Sequence, residues 1–349
     1  MKRAWRGIVL TLTCVMLSIN TWAKDNAVIL VYHHVSEATP SVTSVSPQTF
    51  RQHMTYLAKH HQVLPLQKIV ETLKNKQPLP DKAVAITFDD GYENIYQNAH
   101  PILQEFGFPY TIFVNPPLIG KANYQMDWRQ VKEMATQGAS FANHGNHHDH
   151  MLTREHNEPE SAWLQRAVTD TQQAEQQLTK QLGYSLKYFA YPYGEFNNQL
   201  KNQLTELGYV SFAQHSGAIA SYSDFSALPR FPAAGIYSNI DTLKVKLNSL
   251  AMPAFELFPA DPVITSAPKE LRFKVNTDDF NLNQINCFQN NEVLNKQITG
   301  KRVKIILTPI TQTGRHRINC TAPSKENSKR YYWLSQPFFK ATKEGKWLD

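Results

Sequence analysis

Cysteine is scarce in this chain, with three residues in 349, which excludes a miniprotein held together by disulfides alone. Glycine is scarce too, with 14 residues, far below what collagen requires. There is no internal repeat and no low-complexity tract. Beyond one short run at the start, no apolar stretch approaches the ~20 residues of a membrane-spanning helix, so a polytopic membrane protein is excluded. The chain does have 42% hydrophobic and 11% aromatic residues against 19% charged ones. That composition supplies a sizeable core and excludes wholesale disorder. At roughly 150 residues per domain, the length fits two domains, or one large domain with an appendage.

The N-terminus reads as a targeting segment. Lys2, Arg3 and Arg6 precede an apolar run at 7–17, and Thr21-Trp22-Ala23 offers a small-x-small cleavage site. A secretory signal peptide spanning 1–23 is expected, with an uncleaved anchor as the alternative. Cys14 does not make a lipoprotein signal, because Thr11 stands three residues before it where Leu is needed. The mature chain is then exported, periplasmic or secreted, without stable membrane insertion. Cys287 and Cys320 remain, and an oxidising compartment favours their pairing; two free buried thiols are the alternative.

Charge is distributed unevenly. The whole chain carries +7. Residues 261–349 hold 15 basic and 8 acidic residues, a net +7, while residues 24–260 are net −3. The basic balance is thus confined to the C-terminal third and is no nucleic-acid signature. It suits an anionic glycan or surface, or simply a solvated face. Nothing in the sequence sets the oligomeric state.

Apolar runs at 28–32, 83–88, 110–114, 140–142, 187–191 and 210–213 predict strands covered on both faces. Helical patterns alternate with them at 47–57, 66–73, 94–106, 128–136, 158–182 and 197–207. Ser46 is placed to cap the first, with Pro47 at its first position. This alternation implies a mostly parallel α/β sheet or barrel, and the catalytic unit is assigned to 24–250. Pro253, Pro259 and Pro262 mark a linker at 251–265. Period-two patterns at 271–275 and 303–307, then 331–335, predict a small all-β domain over 266–349. Tyr331, Tyr332 and Trp333, beside Arg315 and Arg317, could bind glycan there; core packing of the aromatics is the alternative.

Metal-competent residues gather where the predicted strands end. His33-His34, Asp89-Asp90-Gly91, His144-Gly145-Asn146-His147-His148 and Pro192-Tyr193-Gly194 each follow a strand. In a parallel barrel these ends share one face, where active sites lie. Taken singly, Asp-Asp-Gly and Pro-Tyr-Gly are ordinary turn signals, and a His pair is ordinary surface. Adjacent carboxylates can nonetheless divide labour, one on a metal and one free as a base. His-x-x-x-His places two imidazoles one helical turn apart, as a divalent ion needs. His147, His150 and His156 read as solvated.

Together, Thr87-Phe88-Asp89-Asp90-Gly91, Asn143-His144-x-x-x-His148 and Phe189-Ala190-Tyr191-Pro192-Tyr193-Gly194 resemble the polysaccharide deacetylases of carbohydrate esterase family four, the NodB-type domain. His148-Asp149-His150-Met151-Leu152 resembles the segment after that family's second histidine. The resemblance covers about 27–236 and implies a distorted (β/α) barrel with fewer than eight complete units, here followed by the small all-β domain. It implies that Asp89 is the catalytic base, that Asp90, His144 and His148 hold one divalent ion of the Zn2+ type, and that the Tyr193 backbone N–H is an oxyanion donor. The family's C-terminal Leu-x-His motif is absent after Gly194. Its counterpart is Leu30-Val31-Tyr32-His33, an arrangement similar to the circularly permuted branch that includes periplasmic poly-β-1,6-N-acetylglucosamine deacetylases; His33 is then the acid. One position departs: many members carry Arg where this chain has Ala190, and Arg230 is the candidate replacement, with a structural surface role as its alternative.

The implied activity is metal-dependent hydrolysis of N-acetyl groups on an amino-sugar polymer, with acetylated polysaccharide as the partner. An O-acetyl esterase, or an inactive glycan-binding protein on the same scaffold, are the alternatives. A metallopeptidase has no support, since no His-Glu-x-x-His is present.

Overall fold

The computed structural model describes residues 25–348; the expected targeting segment at 1–23 lies outside them. Six parallel strands build the larger sheet: β1 (Ala27–Tyr32), β2 (Ala83–Phe88), β3 (Tyr110–Val114), β4 (Ala139–Asn143), β5 (Tyr188–Ala190) and β6 (Val210–Phe212). They pair in chain order from β1 to β6. Their side chains are buried on both faces almost throughout, which accounts for the continuous apolar runs.

Helices cover the outside. In α1 (Pro47–His60), Ser46 accepts a hydrogen bond from the Thr49 N–H and Pro47 opens the first turn. The α2 helix is Leu66–Lys74. The pattern at 94–106 divides into a π-helical turn, Ile95–Ala99, and α3 (His100–Phe106). Asp127 and Gln130 form a reciprocal capping box on α4 (Trp128–Thr136). The long α5 (Glu160–Leu182) stops at Gly183, with φ 79°. The remaining helices are α6 (Asn198–Glu206) and α7 (Ile240–Leu247).

A short seam joins the two edges of this sheet. Leu228 bridges Phe212 of β6, and Phe231 and Pro232 pair with Leu30 and Val31 of β1. The Arg230 N–H donates to the His215 carbonyl within the seam. The result is a curled, distorted barrel, with Arg230 on the segment that closes it.

The C-terminal part is all-β. Its main strands are β7 (Ala254–Phe258), β8 (Glu270–Val275), β9 (Asn286–Gln289), β10 (Arg302–Ile306), β11 (Gly314–Pro323) and β12 (Tyr331–Lys340). With the shorter strands Leu250–Ala251, Glu292–Val293 and Lys296–Thr299 they form a five-stranded and a four-stranded sheet. Leu271, Phe273 and Ile305 from one sheet share a core with Ile318, Cys320 and Phe338 from the other. Cys287 and Cys320 stand opposite each other on β9 and β11 and are disulfide-bonded.

The stretch expected as a linker, 251–265, is partly sheet: β7 pairs antiparallel with β8. Pro253 and Pro259 lie just outside the strand, where a missing N–H breaks no ladder bond. The all-β part also packs directly on the barrel. Trp333 meets Phe231 edge-on at 5.2 Å, and Phe339 meets Phe196 at 5.7 Å. Tyr332 packs tilted against Phe280 at 4.9 Å and donates its hydroxyl to Asp279. Two of the three aromatics considered for glycan binding are therefore packing residues; Tyr331 is 40% exposed.

Candidate active site and metal centre

Four strand ends of the barrel converge on one cleft of about 1520 Å³, lined by His33, Asp90, His148 and Tyr193 among others. The chemistry starts at the end of β2. The Asp89 N–H donates to the Tyr32 carbonyl, continuing the ladder one residue past the strand. The chain then turns sharply, with Asp90 at φ 72° and Gly91 at φ 71°. Aspartate tolerates that region better than most residues. Glycine is required at 91, because an added Cβ would sit 2.9 Å from Val114 Cγ1. The turn sends the two adjacent carboxylates in different directions.

Asp89 points inward and is fully buried. Arg230, also fully buried, grips it with two parallel hydrogen bonds, Nη1 to Oδ1 and Nη2 to Oδ2, both 2.7 Å. Arg230 Nε donates to the Ala213 carbonyl at 3.0 Å, and the guanidinium lies 5.3 Å from the Phe113 ring. Such a fork fixes a carboxylate in direction as well as charge. Burial alone pushes the Asp89 carboxyl up; the Arg230 guanidinium and then His144 outweigh it and hold it below the usual carboxylate range. The surface role considered for Arg230 is incompatible with its burial. Ala190 offers its carbonyl to His144.

Asp90 points toward the cleft. Its Oδ1 lies 3.2 Å from His144 Nε2 and 3.1 Å from His148 Nε2. One ligand atom from each of the three residues falls within 4.8 Å of the others. Burial opposes ionisation of Asp90, but the two imidazoles keep its carboxyl well below the usual range.

The two histidines do not share a helix turn as the spacing suggested. Residues 144–148 form an irregular loop, in which Gly145 at φ 81° and His148 at φ 55° bend the chain so that both rings face Asp90. Side chains on neighbouring elements hold this loop. Asn143 Oδ1 accepts from the Gly145 N–H, and its amide donates to Thr171 and Glu175 of α5. Asn115 at the end of β3 donates to the carbonyls of His144 and Gly145.

The donor set fits a divalent cation. His144 Nδ1 lies 2.8 Å from the Ala190 carbonyl, so it carries the proton and Nε2 presents its lone pair. That Nε2 and Asp90 Oδ1 are buried without a hydrogen-bond donor. Two buried lone pairs aimed at one point, with a third from His148, are what a tetrahedral ion with one open position takes from a protein.

Tyr193 lies across the cleft at φ 57° and ψ 1°. Its ring is stacked on His150 at 3.9 Å and 13°, and meets His148 edge-on at 4.8 Å. His150 Nδ1 is 2.8 Å from Glu195 Oε2. Gly194 follows at φ 71°; a Cβ there would lie 2.7 Å from Gln214 Cβ. His150 and Glu195 are thus part of the site's support, as is Asn115. None of the three has a spacing that sequence patterns register. Of the other two histidines read as solvated, His147 pairs with Asp170 at 2.6 Å. His33 lines the same cleft from the end of β1. Cys287 and Cys320 lie far along the all-β part and belong to its core.

Comparison with known proteins adds the following. The family model described as polysaccharide deacetylase matches residues 76–212. A poly-beta-1,6-N-acetyl-D-glucosamine N-deacetylase of Staphylococcus aureus (strain MRSA252) is 30% identical over 195 residues, covering 54% of this chain and 67% of the relative. The protein of the same name in Escherichia coli (strain K12) is 25% identical over 252 residues, covering 62% of this chain but 38% of the relative. The chain therefore spans well under half the length of that relative. Among solved structures, the Streptococcus pyogenes deacetylase PplD in complex with acetate aligns with a TM-score of 0.56 at 23% identity, covering 62% of this chain and 96% of that one. This likeness concerns the fold.

Proposed function

The chain belongs to the polysaccharide deacetylase family, and from that premise we propose that it is an exported, metal-dependent N-deacetylase of an amino-sugar polymer. The relatives named above make a poly-N-acetylglucosamine the first substrate to consider. The observation that carries the reading is the convergence of Asp90 Oδ1, His144 Nε2 and His148 Nε2 beside a separate, arginine-clamped Asp89.

Asp90, His144 and His148 would hold the ion, with zinc the best match to one carboxylate and two imidazoles. When bound, such an ion polarises a carbonyl and makes water acidic near neutral pH. Asp89 takes the proton of the attacking water. Its pairing with Arg230 keeps it ionised and ready as a base at neutral pH, at the cost of intrinsic basicity. The Tyr193 N–H would donate to the oxygen on which charge develops, a donor worth ~3–4 kcal/mol in comparable sites. His33 gives its proton to the departing amine, so that free amino sugar and acetate leave.

The test is acetate release by the full chain from N-acetylated and O-acetylated glycans offered side by side. Release from N-acetylglucosamine polymers is expected. Release from O-acetylated substrates alone would move the enzyme to the esterase class, and no release from any, with metal bound, would favour a binding protein on an enzyme scaffold.

A further inference from the structure

The all-β part reaches into the cleft through the start of β11. Arg315 Nη1 donates to the Tyr193 carbonyl at 2.6 Å and to Gln214 Oε1 at 3.2 Å. Two residues on, Arg317 donates to the Tyr237 hydroxyl at 2.8 Å on another wall of the same cleft. The barrel's own residues secure the Tyr193 ring, through His150 and Glu195. They do not account for the hold on its backbone carbonyl, which comes from a residue 122 positions away in sequence.

That carbonyl matters because of where it sits. Tyr193 and Gly194 are successive left-handed residues, a conformation a tyrosine adopts only when its surroundings impose it. The peptide after Tyr193 is fixed by two hydrogen bonds: its N–H, on Gly194, donates back to the Tyr191 carbonyl at 2.8 Å, and its carbonyl takes Arg315. Without Arg315 that peptide loses one of its two holds, and the backbone that carries the Tyr193 N–H is free to relax. A donor stabilises a developing charge only if it is already in place.

We propose that Arg315 is a positioning residue for the deacetylation reaction, and that the all-β part, rather than being an accessory, completes the oxyanion side of the active site. This rests on the deacetylase reading. A cationic donor suits the position: its charge strengthens the bond to a neutral carbonyl, and the same Nη1 also reaches Gln214.

The experiment compares the full-length wild-type chain with Arg315→Gln and Arg315→Lys. Arg315→Gln is expected to lower kcat by about 10- to 100-fold, the loss that follows a small misplacement of a catalytic group. KM and bound metal per chain should change less than about twofold, and Arg315→Lys should recover much of the rate. An unchanged kcat would overturn the proposal. So would a rise in KM alone, which would make Arg315 a substrate contact. A second readout needs no activity: in chain labelled with 15N-tyrosine, the Tyr193 amide resonance, identified by its loss in Tyr193→Phe, should shift in Arg315→Gln. If the wild-type chain releases no acetate, the deacetylase reading fails, while a shifted resonance still supports the Arg315 hold and an unmoved one refutes it.

Discussion

The barrel and the all-β part place their functional residues by different means. In the barrel, chemistry sits where parallel strands end, so residues far apart in sequence arrive at one face by topology alone. Twelve of the 13 histidines belong to the barrel part of the sequence, and only His316 lies in the all-β part. The β11–β12 hairpin and its neighbours instead build a core from adjacent strands and lock it with the Cys287–Cys320 disulfide. That part meets the site only where it docks on the barrel. The contrast shows why motif reading works for one region and fails for the other: strand ends repeat across a fold, whereas docking contacts are particular to one molecule.

The sharpest way to break this contrast is at the metal. His144→Ala removes a proposed ligand whose other nitrogen is anchored to Ala190; bound zinc, measured on the purified chain, should fall to near zero and turnover with it. A comparable mutation anywhere in the all-β part should leave zinc content unchanged. Arg230→Leu leaves Asp89 buried and unpaired, which should cost about 3–5 kcal/mol of barrel stability, read by denaturant unfolding. A change within 0.5 kcal/mol would show that the Asp89 carboxylate does not depend on Arg230 for its compensation.

The converse experiment acts on the other region. Replacing Cys287 and Cys320 together by serine should destabilise the all-β part by about 3–4 kcal/mol in the chain-entropy model. Hydrogen exchange resolved along the sequence should show the loss in β8 to β12 before β1 to β6. Simultaneous loss in both would mean that the two parts unfold as one unit.

Acid should separate the regions more gently. Burial lowers His61 and His215 in the barrel to about pH 4. Folded, they stay neutral between about 6.5 and 4, while the unfolded chain takes up their protons. Their contribution to stability is therefore complete above about pH 6.5 and lost progressively as the pH falls toward 4. Exchange protection at pH 5 should decline in the barrel and hold in the all-β part; equal decline in both would remove these histidines as the cause.

Much of the barrel was legible. The strands announced themselves as runs buried on both faces, and Ser46 with Pro47 marked the start of the first helix. The four clusters at strand ends were readable because each strand's last residue is fixed by its pattern. The seam at 228–232 was not, since a segment pairing through a few residues on each edge carries no long apolar run. For the same reason Arg230 could be suspected but not placed. The His144–His148 spacing suggested a helix, because periodicity says nothing of positive φ at Gly145 and His148. Strand β7 was hidden by the prolines that bracket it. Arg315 was legible only beside the aromatics considered for glycan binding and His150 only as a solvated histidine, because their partners Tyr193 and Glu195 lie on other elements and only folding brings them together.

The central claim is that two adjacent carboxylates do different jobs, Asp90 on the metal and Asp89 as the base. The most direct test is Asp89→Asn, measured for bound metal and for acetate release in the same preparation. The account predicts wild-type metal content with turnover lowered by about 10²- to 10⁴-fold, the usual contribution of a general base. Wild-type turnover would contradict the base assignment, and loss of metal would contradict the division of labour.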